Sequence, residues 1–204
     1  MILETRIVCP ISWKYLCLLK EYQIEFNQSA ITLKDEVLND IKTPKIDQKE
    51  AATFFFSNLD SFVNVEDRDL LGTTIELIEG YFINQIILPI RNERIIQPLI
   101  FRATPNIENL NKLQSKSHEF LIKTSKTLEN KEWINNKNFS YLDISLGSAI
   151  ATLDYLGEIQ WKEKALNFLY IWYLKVKSKP CFEIILKEIC PGLKPFVSFN
   201  KLDF

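Results

Sequence analysis

Two short polar residues stand where a helix is predicted to begin near the start of the chain. In the segment Cys-Pro-Ile-Ser, Cys9 and Ser12 lie on either side of Pro10, which suits a first helical turn, and the following residues have helical periodicity. The free backbone N–H groups of a helix start favour a thiolate over a thiol, so Cys9 is a candidate reactive residue. The structural alternative is a small residue and a cap at a helix start.

A second candidate for chemistry is Asp143, in the stretch FSYLDISLGSAIATLDYLGEIQW. A buried carboxylate could act as a general acid or base, but Asp143 lies three residues after Ser140. This spacing is typical of the reciprocal cap in which each side chain satisfies a backbone donor at a helix start. We therefore interpret Ser140 and Asp143 as a structural cap of a central helix, which Gly157 would end in a left-handed conformation.

The sequence contains few residues that could form a metal site, a catalytic triad or a phosphate-binding loop. His118 is the only histidine, so a zinc site or a Ser-His-Asp triad would depend on one residue of a helical stripe. The five glycines are not clustered into a phosphate-binding loop. The four cysteines match no zinc spacing and form no disulfide framework, so we expect reduced thiols and no metal site.

The bulk composition predicts a cytoplasmic globular protein. A hydrophobic content of 47% in 204 residues suffices for a real core, and the formal net charge is -1 with the cationic residues scattered among the anionic ones. This distribution predicts no binding to nucleic acid or to an anionic membrane. The first ten residues lack the layout of a signal peptide, and the longest apolar runs are shorter than the roughly 20 residues of a membrane span.

The elements that must position these residues change in character along the chain. Residues 2–8 and 24–31 read as strands on either side of the first helix, which gives a β-α-β opening. From about Asp67 the periodicity is helical, and Pro89 should kink or end the first of these helices because it lacks a backbone donor. The best candidate for a domain junction is the segment VEDRD, residues 65–69.

A β-α-β opening, a helical second half and a central helix begun by Ser-x-x-Asp resemble the glutathione transferase superfamily. The segments LDYLGEIQW, WYLKVKSKPCFEIILKE and PGLKPFVSFNKLDF resemble its alphaproteobacterial homologues that bind the tubulin-like division protein FtsZ. The resemblance implies an α+β two-domain fold. Residues 1–66 would form a thioredoxin-like domain, and residues 70–204 an all-helical domain with an extended tail.

The resemblance also implies where glutathione would bind. Cys9 or Ser12 would handle the sulfur, Pro44 would correspond to the cis-proline that exposes backbone to the tripeptide, and Ser57 to the serine of an acid-serine pair. The acid is replaced by Phe56, so the carboxylate that usually orients the ligand is absent. We therefore expect no cofactor, and Pro44 and Ser57 would be vestigial glutathione-site positions.

Two functions from different classes stand at this point. The first is a non-catalytic, homodimeric protein that binds FtsZ filaments and supports bacterial cell division, with Leu202, Asp203 and Phe204 contacting the partner through an aromatic anchor beside a carboxylate. The second is a diverged glutathione S-transferase or glutathione-dependent thiol enzyme that uses Cys9 or Ser12. For the apolar tail, the structural alternative is packing on the helical domain, above all through Phe196 and Phe199.

Overall fold

The computed structural model describes residues 2–38, 68–135 and 138–200. Strands β1 (Ile2–Arg6) and β2 (Asn27–Ile31) pair in parallel, with helix α1 (Pro10–Glu21) between them and helix α2 (Leu33–Leu38) after them. The predicted β-α-β opening is therefore confirmed.

Both strands are shorter than predicted, for local reasons. Val8 has a φ of 49°, which lies outside the β region, so β1 ends at Arg6. Asn27 pairs with Ile2, the first residue of β1, and the predicted positions before Asn27 therefore face no residue of that strand.

A long helix, α3, runs from residue 68 to residue 99 and changes its hydrogen-bonding pattern along the way. Glu76–Ile87 and Asn92–Ile96 are π-helical, and the other segments are α-helical. Of the two outcomes predicted for Pro89, a kink and an end, the end is wrong, because the helix continues past this residue. Pro89 follows directly on a π-helical segment and lies in the first turn of the α-helical segment Leu88–Arg91, where a missing N–H is tolerated.

The rest of the described chain is helical apart from connecting segments. The helices are α4 (Ile107–Thr127), α5 (Tyr141–Tyr155), α6 (Asn167–Lys177) and α7 (Glu183–Leu186), with 3-10 turns at Lys164–Leu166 and Pro180–Phe182. Within the described ranges, none of the helices has the length and apolar character that a membrane crossing requires.

Helix α5 lies at the centre of the core, and residues 142–155 are buried on all its sides. It packs against α1, α3 and α6. Gly147 allows this close approach, because a Cβ atom there would lie 2.7 Å from Val176 and 2.8 Å from Phe182. The helix ends as predicted, with Gly157 at a φ of 72°. One central helix thus holds the first helix of the β-α-β unit against the helical half.

Candidate functional site

The loop between β1 and α1 has a strained backbone at Val8. A β-branched residue rarely adopts a positive φ, and such strain costs on the order of 1–3 kcal/mol. Glu188 accepts a hydrogen bond from the Val8 N–H at 2.6 Å, and Arg91 Nε donates to the Val8 carbonyl at 3.0 Å. Two charged side chains of the helical half therefore hold this loop in its unusual conformation.

Arg91 joins three elements at one buried point. From α3, its Nη2 donates to the carbonyl of Ile7 in the loop at 2.7 Å. Its Nη1 and Nη2 donate to the two carboxylate oxygens of Glu36 in α2 at 2.9 and 2.8 Å. Both side chains are nearly inaccessible to solvent. A buried ion pair stabilises a fold only when its geometry is good, and the two parallel hydrogen bonds provide that geometry here.

The two candidate nucleophiles lie in and after this clamped loop. Cys9 is the residue before α1 and is 0% exposed. The Ser12 oxygen accepts a hydrogen bond from the Arg6 N–H at 2.9 Å, and this side chain is also buried. The thiol is therefore closed to solvent, and the hydroxyl fastens the end of β1 to the first turn of α1.

A buried polar network connects the two halves of the molecule beside α1. Lys14 donates to Glu79 at 2.8 Å, and both Tyr141 and Ser145 donate to the other Glu79 oxygen, at 2.6 and 2.8 Å. Burial alone would raise the pKa of Glu79, but the Lys14 charge and the three hydrogen bonds together lower it below its ordinary value. The network stabilises an ionised carboxylate between α1, α3 and α5.

Asp143 has its oxygens fully engaged at the start of α5. Its Oδ2 accepts from the backbone N–H and the hydroxyl of Ser140, at 3.0 and 2.9 Å, in the arrangement of a capping box. Its Oδ1 accepts from Ile134 N and Trp172 Nε1, at 3.0 and 2.9 Å. Burial raises the pKa of Asp143 although these hydrogen bonds act against the shift. These contacts are structural. Because each carboxylate oxygen already accepts two hydrogen bonds, neither oxygen is available to exchange a proton with a substrate.

The tail after α7 returns to the domain interface and is fixed there. Phe199 is 0% exposed and packs against Trp13 of α1 and Tyr155 of α5, with ring centroids 5.9 and 4.9 Å away. Next to it, the Ser198 hydroxyl donates to Asp154 at 2.6 Å. Lys177 Nζ donates to the Ser198 carbonyl at 3.1 Å. The tail therefore binds both halves of the chain immediately before residues 201–204.

A curated protein and several solved structures are similar to this chain, while no protein-family model matches it. FtsZ-localized protein A of Caulobacter vibrioides is 27% identical over 130 residues, which span 64% of this chain and 56% of that protein. The chain thus matches little more than half the length of this relative.

Three of the solved structures match over the whole chain. FzlA from C. crescentus superimposes with a TM-score of 0.83 at 20% identity, over 100% of this chain and 99% of that one. The chain has the glutathione S-transferase fold. A glutathione S-transferase from Rhodospirillum rubrum F11 gives a TM-score of 0.82 at 18% identity, and one from Sinorhizobium meliloti 1021 gives 0.79 at 23%. Each covers 100% of this chain and is covered to 99%.

The structure describes only some of the residues that the resemblance assigns to the ligand site. Cys9 and Ser12 lie at the start of α1, as the resemblance implies. Pro44 and Ser57 lie outside the described residues, as do Phe56 and the proposed domain boundary near residue 66. Leu202, Asp203 and Phe204 also lie outside them. The expected roles of these residues stay predictions.

His118, considered above for metal chemistry, lies exposed on α4 and contacts Glu163 at 2.6 Å. Its neighbour Phe120 is the residue that joins the core. In the described part of the chain, no group of three or more histidine, cysteine and acidic side chains is placed to hold a metal ion.

Sequence reasoning missed the charged residues that hold the site together. From the sequence, neither Arg91 nor Glu36 nor Glu188 was singled out. Arg91 and Glu36 are separated by 55 positions. No local signal distinguishes these charges, because each lies within three positions of another charged residue, as Glu36 does beside Asp35.

Proposed function

We propose that this chain is a non-catalytic protein of the glutathione S-transferase fold that binds FtsZ filaments in the cytoplasm and supports bacterial cell division. The observation that carries the proposal is the closed β1–α1 loop. Cys9 is fully buried there, and the flanking Val8 backbone is occupied by Glu188 and Arg91. A thiol that cannot meet a substrate is of little use to a transferase.

The choice of partner rests on similarity. The relative with 27% identity is named for its localization with FtsZ, and the whole-chain structural match to FzlA extends the likeness to the fold. The chain has balanced charge, so shape and apolar contact must dominate recognition of the filament.

The tail is the segment that we propose to make this contact. Phe199 and the Ser198–Asp154 hydrogen bond fix its root at the domain interface. Leu202, Asp203 and Phe204 follow Phe199 within five positions of the sequence, so the fixed root limits how far from it a partner can meet them.

The test is co-sedimentation with FtsZ assembled with GTP. We expect the full chain to pellet with the filaments, and a variant lacking residues 202–204 to keep the unfolding midpoint of the full chain but pellet less. Replacement of the exposed Lys112 in α4 by Ala provides a control at the surface of a different element. Absence of the full chain from the pellet would refute the proposal, and equal pelleting of the truncated variant would refute the role of the tail.

We also propose a homodimer. Leu77 on α3 is 50% exposed, and it borders a groove that Tyr81 and Phe120 line between α3 and α4. Burial of this groove in a second copy would remove apolar surface from water. Sedimentation equilibrium should give twice the chain mass, and Leu77→Asp should give the monomer mass. A monomeric wild-type chain would contradict the dimer.

A diverged glutathione-dependent enzyme is the second candidate. Cys9 lies directly before α1, and the Arg91 guanidinium binds the adjacent carbonyl of Val8, so a cation lies near the thiol. Retention on immobilised glutathione, with release by free glutathione, would favour this function. A Cys9→Ala variant retained equally well would show that the thiol is not involved.

A further inference from the structure

Arg6 at the end of β1 has an unusual position for a charged side chain. Its side chain is 5% exposed, and its one ion pair, from Nη1 to Glu36, is long at 3.3 Å. Among the residues that the structure describes, the buried Nε and Nη2 atoms have no hydrogen-bond partner. Native proteins rarely leave buried donors in this state, and here two of them belong to one guanidinium group.

The two unpartnered donors lie on the same edge of the guanidinium. The N–H groups of Nε and Nη2 point in parallel, and their spacing matches the two oxygens of a carboxylate, which they bind in a bidentate manner. The opposite side of the group is held by Glu36, which in turn is fixed by Arg91. The free edge of Arg6 therefore has a defined orientation before any ligand arrives.

Arg6 is one of the residues that line a cleft of about 310 Å³ between β1, α2 and α3, which we call the Arg6 cleft. This volume is at the small end of the range of ligand sites, about 300–1,000 Å³. Four of the cleft's eight described lining residues are apolar, and one of these, Phe101 just after α3, is 54% exposed. The lining residues are Arg6, Glu36, Val37, Leu88, Arg91, Asn92, Ile96 and Phe101.

The charges of the Arg6 cleft define the charge of its ligand. Arg6 and Arg91 contribute two positive charges and Glu36 one negative charge, and the other lining residues within the described ranges are uncharged, so the described lining carries a net charge of +1. A single carboxylate neutralises this charge. A dianion would leave an excess negative charge beside Glu36 in a poorly solvated place.

We infer that the Arg6 cleft is a binding site for a small organic monocarboxylate, with the carboxylate on the Nε and Nη2 edge of Arg6 and the apolar body of the ligand against Leu88 and Phe101. The site uses none of the tail residues proposed to contact FtsZ. Its test is therefore independent of that proposal.

Benzoate is a suitable probe, because it joins one carboxylate to a compact apolar ring. In NMR spectra of the full chain labelled with nitrogen-15, titration with benzoate should shift the Arg6 Nε–H signal in a saturable manner. Benzyl alcohol has the same ring without the charge and should bind about tenfold more weakly or worse. Inorganic phosphate at the same concentration should not displace benzoate.

Substitutions separate the guanidinium edge from charge alone. Arg6→Lys keeps the positive charge but loses the parallel pair of donors, and we expect benzoate affinity to fall about tenfold. Arg102→Lys alters an exposed arginine beside Phe101 and should leave the affinity unchanged. The inference would be overturned by wild-type protein that shows no saturable shift at Arg6, or by equal binding of benzoate and benzyl alcohol. The wild-type titration decides even if Arg6→Lys folds poorly.

Discussion

The indole ring of Trp13 and the phenyl ring of Phe199 stack with their centroids 5.9 Å apart and their planes 27° apart. The first residue belongs to the helix that follows the opening strand, and the second belongs to the tail. Through this contact, the tail is part of the core in which α1 and α5 meet. The role of Phe199 in stability can therefore be tested separately from the proposed role of residues 202–204 in binding.

Removal of the Phe199 ring should destabilise the whole molecule. Phe199→Ala leaves a cavity against Trp13 and Tyr155, and such losses cost about 3–5 kcal/mol in the free energy of unfolding. Urea denaturation measures the change. Val197→Ala, at a position that is 70% exposed in the same tail, should change the free energy by less than about 0.5 kcal/mol. Similar effects of the two substitutions would show that Phe199 is not an anchor.

The ion pair of Lys14 and Glu79 should make stability depend on pH. The pKa of Glu79 is lowered in the folded chain, so its stabilising contribution is present above about pH 4.5 and is lost as pH falls through the folded-state pKa. Glu79→Gln should lower the free energy of unfolding by about 3 kcal/mol at pH 7, and its difference from the wild type should shrink below pH 4.5.

Urea titrations between pH 3 and pH 7, about the range over which carboxylates become protonated, measure this difference. Glu129→Gln changes an exposed carboxylate and should reproduce the wild-type curve. A Glu79→Gln difference that stays constant over this range would rule out an ionised Glu79 as its source.

Two glycine substitutions should have opposite effects on stability. Gly147→Ala introduces a methyl group that would lie 2.7 Å from Val176 and 2.8 Å from Phe182, so overpacking should cost about 1–3 kcal/mol. Gly72→Ala, in the first turns of α3, meets no atom within 4 Å and should stabilise the chain by about 0.5–1 kcal/mol through helix propensity. Thermal unfolding gives both values. Stabilisation by Gly147→Ala would show that α5 has room for a closer neighbour.

The folded chain should protect its thiols from alkylation. All four cysteines are buried, and the Cys17 thiol donates to the carbonyl of Cys181, so brief treatment with iodoacetamide should leave the intact mass unchanged. The same treatment in concentrated urea should add four carbamidomethyl groups. Alkylation of Cys9 in the native chain, located by peptide mapping, would contradict the closed loop and favour the enzymatic alternative.

The features that local sequence could predict are those formed by residues close together in the chain. The β-α-β opening follows from periodicity within short windows. Gly157 ends α5 for the backbone reason expected of glycine, and Ser140 lies three positions from the carboxylate that it contacts.

Partnerships across the chain could not be predicted in the same way. Glu188 contacts Val8 from 180 positions away, and it directly follows Lys187, so its local sequence does not distinguish it from a surface charge. The continuation of α3 past Pro89 could not be predicted either. Periodicity does not distinguish a helix that ends at Pro89 from one in which a π-helical segment accommodates this residue.

The clamp on the Val8 loop limits how the two halves of this molecule could be exchanged with those of related proteins. A chimera that takes β1 and α1 from another chain would leave Arg91 and Glu188 facing a loop of different shape, and Glu79 without its lysine. A working chimera would therefore have to exchange Arg91, Glu188 and Glu79 together with the segment that they contact.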